Sequence, residues 1–209
     1  MEQDTKKQSA AELRKQECEQ IQAELEQQGY VREDATISVL KANLMLFATS
    51  IPICILLGVL FALVNADGGS GNLSSKAMKA VFILGFLLSI LVHEGLHGLG
   101  WVGSCKNGWK SIRFGMMWKS LTPYCNCKEV LSVGRYYIGL LTPVTVLGLL
   151  PSLAAVVTGN VMVLALGLIN ILLAGGDLAI GLVIRKYIGK DARLLDHPSE
   201  CGCLAFLKQ

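Results

Sequence analysis

Val92-His93-Glu94-Gly95-Leu96-His97-Gly98 lies inside the apolar run 80–103, where His93, Glu94 and His97 are the only ionisable side chains. A run of that length suffices for one bilayer crossing, which takes about 20 apolar residues. Ionisable groups at membrane depth are costly and mark functional sites. Histidines at i and i+4 stand one above the other on a helix face, so both rings can reach one metal ion. A glutamate between them is placed to act as general base on a metal-activated water. The chain has three histidines in all, and two of them stand in this pattern. The competing reading is a helix whose polar side chains bond to neighbouring helices. It leaves the burial of Glu94 to be met by a partner.

Three further runs reach spanning length, 43–66, 136–158 and 161–184. The first two carry no charge and the last carries only Asp177. The chain is 52% hydrophobic and 17% charged, and its mean hydropathy of +0.49 is high for a soluble domain. The expected fold is therefore an all-α integral membrane protein with about four transmembrane helices. A net charge of +3, with no basic helix or aromatic-interleaved basic patch, excludes a nucleic-acid partner. No cleavable signal peptide is expected, because a mostly polar segment precedes the first apolar run.

The chain divides into an N-terminal segment 1–36, a transmembrane domain 37–190 and a tail 191–209. In the first, Leu13, Ile21 and Leu25 give an amphipathic helical pattern ending near Gly29-Tyr30. Asp67-Gly68-Gly69-Ser70-Gly71-Asn72 reads as an outer loop. Ser111-Ile112-Arg113-Phe114-Gly115-Met116 alternates, and Trp118, Tyr124 and Val130 follow. A small cytoplasmic β-hairpin or interfacial segment is expected there. Pro143 and Pro151 predict a kink in the third span.

Lys and Arg distribution orients the spans. The middle loop holds Lys106, Lys110, Arg113, Lys119, Lys128 and Arg135, and the tail holds Arg185, Lys186, Lys190 and Arg193. The link before the second span holds only Lys76 and Lys79, and Thr158-Gly159-Asn160 holds none. This predicts a multi-pass plasma-membrane protein with both termini cytoplasmic. Six of the seven cysteines then lie on the reducing side, so no disulfide framework is expected. Cys125-Asn126-Cys127 and Cys201-Gly202-Cys203 could together form a four-thiolate site, although the spacing is not the usual C-x2-C. His197 reads as part of a turn.

A catalytic zinc usually has three protein ligands, and Asp177 is the remaining acid within an apolar span. At 1.5 Å per residue, His93 lies about 20 Å below the outer surface and Asp177 about 24 Å, so the two share a depth. Gly175 and Gly176 before it, and Gly95, Gly98 and Gly100 around the histidines, permit close helix approach. Asp177 could instead simply accept an interhelical hydrogen bond. Asn170 lies on the same helical face at i and i+7, positioned to bind substrate backbone, orient a ligand or bond between helices.

His93-Glu94-Gly95-Leu96-His97-Gly98, Pro123-Tyr124-Cys125-Asn126-Cys127-Lys128-Glu129, Ala174-Gly175-Gly176-Asp177-Leu178 and Asp196-His197-Pro198 together resemble a family of bacterial membrane proteins known as "putative zincin peptidases". The resemblance covers most of residues 30–205 and implies a zinc peptidase. More distantly the arrangement is similar to site-2 proteases, which cut membrane proteins within their transmembrane helices. Carried over, that resemblance makes His93, His97 and Asp177 zinc ligands and Glu94 the base. This chain departs from the pattern in having no proline between Asn170 and Asp177, and Leu178 where a glycine is usual. The expected activity is Glu94-assisted attack of a Zn²⁺-activated water on a peptide or protein substrate, including a membrane protein. The alternatives are a non-catalytic zinc-binding scaffold or sensor and a metal transporter.

Overall fold

The computed structural model describes residues 10–70, 75–117 and 122–208. Gly71 and Asn72 of the expected outer loop, and Trp118 and Lys119 of the middle segment, lie outside the described residues.

Helix α1 (Ala10–Gln27) leads into strand β1 (Tyr30–Thr36). Two long helices follow, α2 (Val39–Val64) and α3 (Lys76–Val102). Each starts at a serine cap: Ser38 Oγ accepts the Lys41 amide at 3.3 Å and Ser75 Oγ the Met78 amide at 3.1 Å. Such caps satisfy first-turn amides that have no intrahelical partner. The alternating segment forms the expected antiparallel hairpin, β2 (Ile112–Met117) with β3 (Thr122–Cys127). A short β4 (Leu131–Ser132) opens α4 (Val133–Pro143).

Between the two prolines the chain is π-helical, over 144–149, before α5 (Leu150–Thr158). The two prolines at which a kink is expected thus bracket a wider helical turn. Helices α6 (Val161–Leu173) and α7 (Gly175–Ile184) meet at a 46° bend. Strands β5 (Ala192–Asp196) and β6 (Gly202–Lys208) complete the described chain.

Among the described residues, three helical stretches are long and apolar enough to cross a membrane: Leu44–Val64, Lys76–Val102 and Val133–Thr158. The bent pair adds a fourth if it counts as one span. Their outward faces are apolar: Leu44, Phe47, Leu56 and Leu63 of α2, and Val81, Leu84, Leu88 and Leu91 of α3, are all exposed. At the opposite end from the sheet the two Lys-poor links meet. The Ser70 amide donates to the Gly159 carbonyl at 2.7 Å and the Val161 amide to Ser70 at 2.9 Å. Gly159 turns the chain there with φ +70°, a conformation open to glycine without strain.

The all-α expectation is corrected by a four-stranded antiparallel sheet in the order β1-β6-β5-β4. Its strands come from residues 30–36, 131–132 and 192–208, with Tyr30 opposite Lys208 and Thr36 opposite Gly202. None carries a pattern strong enough to declare itself. β1 carries Arg32, Glu33 and Asp34 in succession, and the short apolar run in β6 has no distinguishing period outside its sheet. Within the sheet the period of two is evident. Cys203 and Ala205 face the bundle with Trp101, Tyr136, Ile184 and Tyr187. Leu204 and Phe206 face the other way, onto Cys18 and Leu25 of α1. The layers are therefore bundle, sheet and α1. The hairpin is held on the same side by α1, through the Arg113–Glu17 ion pair at 2.8 Å and Arg14 stacked 4.9 Å over the Tyr124 ring.

Asp196 ties these layers together. Its carboxylate accepts the Tyr136 hydroxyl of α4 at 2.6 Å and the Cys127 amide of β3 at 2.7 Å. Burial raises its pKa above the ordinary carboxylate value, against the lowering effect of those two donors. Asp196→Ala strands both donors in the interior and is expected to cost about 2–4 kcal/mol of stability. Thermal unfolding in detergent checks this, with Asp196→Asn, which keeps one acceptor oxygen, losing less.

Candidate metal centre

His93 and His97 are adjacent on the buried face of α3, 8% and 6% exposed, with ring centroids 4.9 Å apart. Asp177 reaches them from the first turn of α7. The Gly175-Gly176 pair weakens helical continuity after Ala174. Gly175 also lies against α2, where a Cβ would stand 2.5 Å from Leu46 Cγ. The 46° bend between α6 and α7 falls at this point. An acid in the first turn of a helix is also favoured by the helix dipole.

His93 Nε2 lies 3.1 Å from Asp177 Oδ2, and His97 Nε2 lies 3.5 Å from Asp177 Oδ1. One donor atom from each of the three residues falls within 4.8 Å of the others. A tetrahedral ion with ligand bonds of 2.0–2.1 Å separates its donors by about 3.3 Å, so the spacing fits a zinc ion. His97 Nδ1 stands 2.9 Å from the Gly139 carbonyl of α4. A carbonyl can only accept, so Nδ1 carries the proton and Nε2, which faces Asp177, is the ring nitrogen left for a metal. His93 Nδ1 is buried with no protein partner among the described residues. The donor set therefore suits a metal: two imidazoles, one oriented by an outer hydrogen bond, and one carboxylate.

Trp101, one turn beyond His97, stacks on its ring at 5.4 Å and 16°. The Trp101 indole N–H donates to the Tyr136 carbonyl at 3.0 Å. This contact requires glycines. A Cβ on Gly100 would lie 2.6 Å from Gly139 Cα, and one on Gly139 would overlap the Trp101 ring. Gly100→Ala is expected to push α4 from α3 and pull the Gly139 carbonyl off His97. A loss of about 10–100-fold in zinc affinity follows from losing that outer hydrogen bond, measured by competition with a zinc chelator. Gly98 admits the hairpin, since a Cβ there would stand 2.8 Å from Phe114 and 3.0 Å from Ile112. Gly95 and Gly176 face open space, so the close approach expected of them is absent.

Glu94 is half-buried, beside His93, His97 and Asp177 on one side and the Cys125 backbone amide on the other. The hairpin thus covers the face of α3 that carries the candidate base.

Asn170 is buried, and its Nδ2 donates to the Leu166 carbonyl in its own helix at 2.9 Å. Its Oδ1 has no partner among the described residues. The bend after Leu173 interrupts the straight helix on which the i, i+7 alignment with Asp177 depended. His197 Nδ1 accepts the Glu200 amide at 2.7 Å, closing the turn between β5 and β6. The two C-x-C pairs form no metal group among the described residues. Cys127 instead meets Cys105. Sequence reading missed Trp101 and Gly139. Trp101 extends the i, i+4 stripe of His93 and His97, whereas a backbone carbonyl leaves no mark in a sequence.

The inner face of α3 thus presents His-Glu-x-x-His, and an aspartate from a later helix joins the two histidines in a group that could hold a metal ion. The chain belongs to the family described as "Putative zincin peptidase", whose model matches residues 86–190 and so includes His93, Glu94, His97 and Asp177. That membership points to metallopeptidase activity. No curated protein and no solved structure matches the chain. The likeness to site-2 proteases rests on the sequence motifs alone.

Proposed function

We propose that this protein is a membrane-embedded zinc metallopeptidase in which His93, His97 and Asp177 hold the metal and Glu94 is the general base. The observation that carries the reading is the convergence of three donor atoms within 4.8 Å beside Glu94. A bound zinc ion would supply Lewis acidity, making water a stronger acid and polarising the scissile carbonyl. The Glu94 carboxylate takes the proton of the attacking water and passes it to the leaving amine. The Gly139 carbonyl keeps His97 in the tautomer that presents Nε2. Asp177 places one oxygen toward each histidine. The low exposure of His93 and His97 strengthens the electrostatic interactions around them.

Embedding is supported by the apolar outward faces of α2 and α3. A topology with both termini cytoplasmic is supported by the sheet, since β1 and β6 pair and must share one side. The Lys- and Arg-rich segments flank that sheet, while the Lys-poor links meet at the other end. The substrate class is a peptide or protein, including membrane proteins, reaching the site at the inner-leaflet depth of Glu94. Zinc content together with peptide hydrolysis in the Glu94→Gln variant tests the reading. Retained zinc with unchanged hydrolysis would sink it, and full zinc with no turnover by wild type would favour a scaffold or sensor.

A further inference from the structure

Cys105 and Cys127 stand with their sulfurs 3.5 Å apart. Each is positioned by its own support. Cys105 follows the last turn of α3, and its thiol donates to the Trp101 carbonyl at 3.3 Å. Cys127 ends β3, where its amide is held by Asp196 at 2.7 Å and its thiol faces the Glu129 carbonyl at 3.5 Å. A disulfide has an S–S length of about 2.05 Å, so closing the pair takes about 1.5 Å of movement, within reach of a side-chain rotation. We propose that Cys105 and Cys127 are a redox modification site, forming a reversible disulfide that ties the β2–β3 hairpin to the end of α3.

The co-reactant is a small-molecule disulfide such as oxidised glutathione. Cys105 is only partly buried while Cys127 is 2% exposed, so Cys105 is the point of entry. Its thiolate attacks one sulfur of the small disulfide. The S–S bond breaks, a mixed disulfide forms and one thiolate leaves with the bonding pair. The Cys127 thiolate then attacks the Cys105 sulfur, and the second small thiol leaves. The protein loses two thiol protons and two electrons, and the small disulfide gains both. Burial raises both thiols above their ordinary pKa, Cys127 strongly. Thiolate is therefore scarce at neutral pH, and the exchange is slow.

The bond would span α3 and β3 on the side where Ile112 and Phe114 pack at Gly98 and the Cys125 amide meets Glu94. Any opening between hairpin and helix is then closed. Its meaning for catalysis rests on the reading of Glu94 as base, but its formation does not.

The test uses the full-length chain, purified in detergent, reduced and then treated with oxidised glutathione. The intact mass should fall by two hydrogen atoms, and peptide mapping should recover a bond joining Cys105 to Cys127. A thiol reductant should reverse it, and Cys105→Ser and Cys127→Ser should each abolish it. Glu94→Gln should form it as readily as wild type, which separates this proposal from the hydrolytic one. Amide exchange across β3 should slow about tenfold in the oxidised chain, as expected when local opening is restrained. Both thiols remaining alkylatable, a stable glutathione adduct on either, or a bond to another cysteine overturns the site. A bond that leaves exchange in β3 unchanged overturns the tie.

Discussion

Glu94→Gln is expected to lower peptide hydrolysis by about 10²–10⁴-fold, the usual contribution of a positioned general base. It should retain zinc, because Glu94 lies outside the group formed by His93, His97 and Asp177. The substitution keeps the size of the side chain and its hydrogen-bonding reach but removes its ability to take a proton. It therefore separates proton transfer from packing, which Glu94→Ala would not. The half-buried position under the hairpin makes that distinction necessary, since truncation there would also leave a void beside Cys125. The measurement is turnover of a fluorogenic peptide mixture in detergent, with zinc quantified on the same samples. Equal turnover in wild type and variant, with zinc retained in both, rules out Glu94 as the base.

The second large effect concerns the metal itself. Zinc should fall from about one ion per chain to below about 0.1 in His93→Ala, His97→Ala and Asp177→Ala alike, because a three-ligand site does not survive as two. Asp177→Ala is the decisive variant. In a simple ion-paired cluster its carboxylate would only bridge two imidazoles, and its loss would leave any metal bound elsewhere untouched. In the proposed site it contributes one bond of three, and its loss should weaken binding by at least about 100-fold, the upper end of what outer-shell changes alone produce. Chelator treatment of wild type should abolish hydrolysis, with recovery on zinc addition. Zinc at wild-type level in all three variants refutes the site.

The candidate site was legible in the sequence to different degrees at its different residues. His93, Glu94 and His97 announce themselves, because a helical i, i+4 spacing carries its own geometry and an apolar background makes three ionisable groups conspicuous. Asp177 was reachable by counting residues along two spans that both start at the outer surface, since helical rise is constant. The hairpin followed from local alternation. In each case the relevant free energy is local, in one helix period, one strand period or one residue's transfer from water. The four-stranded sheet was not legible, because β1 joins β6 across nearly the whole chain and β4 joins β5 across the helices between them. The same holds for the close approach of Leu46 to Gly175 and for the Gly139 carbonyl on His97. Cysteine spacing pointed to 125 with 127 and 201 with 203, whereas folding brought 105 to 127. Chain proximity and contact part company there because a turn of helix and a strand edge meet through side chains whose partners are chosen by the packed layers. Hydrophobic period and ligand spacing are written residue by residue. Which distant surfaces meet is a property of pairs, and it exists only once the bundle, the sheet and α1 have closed on one another.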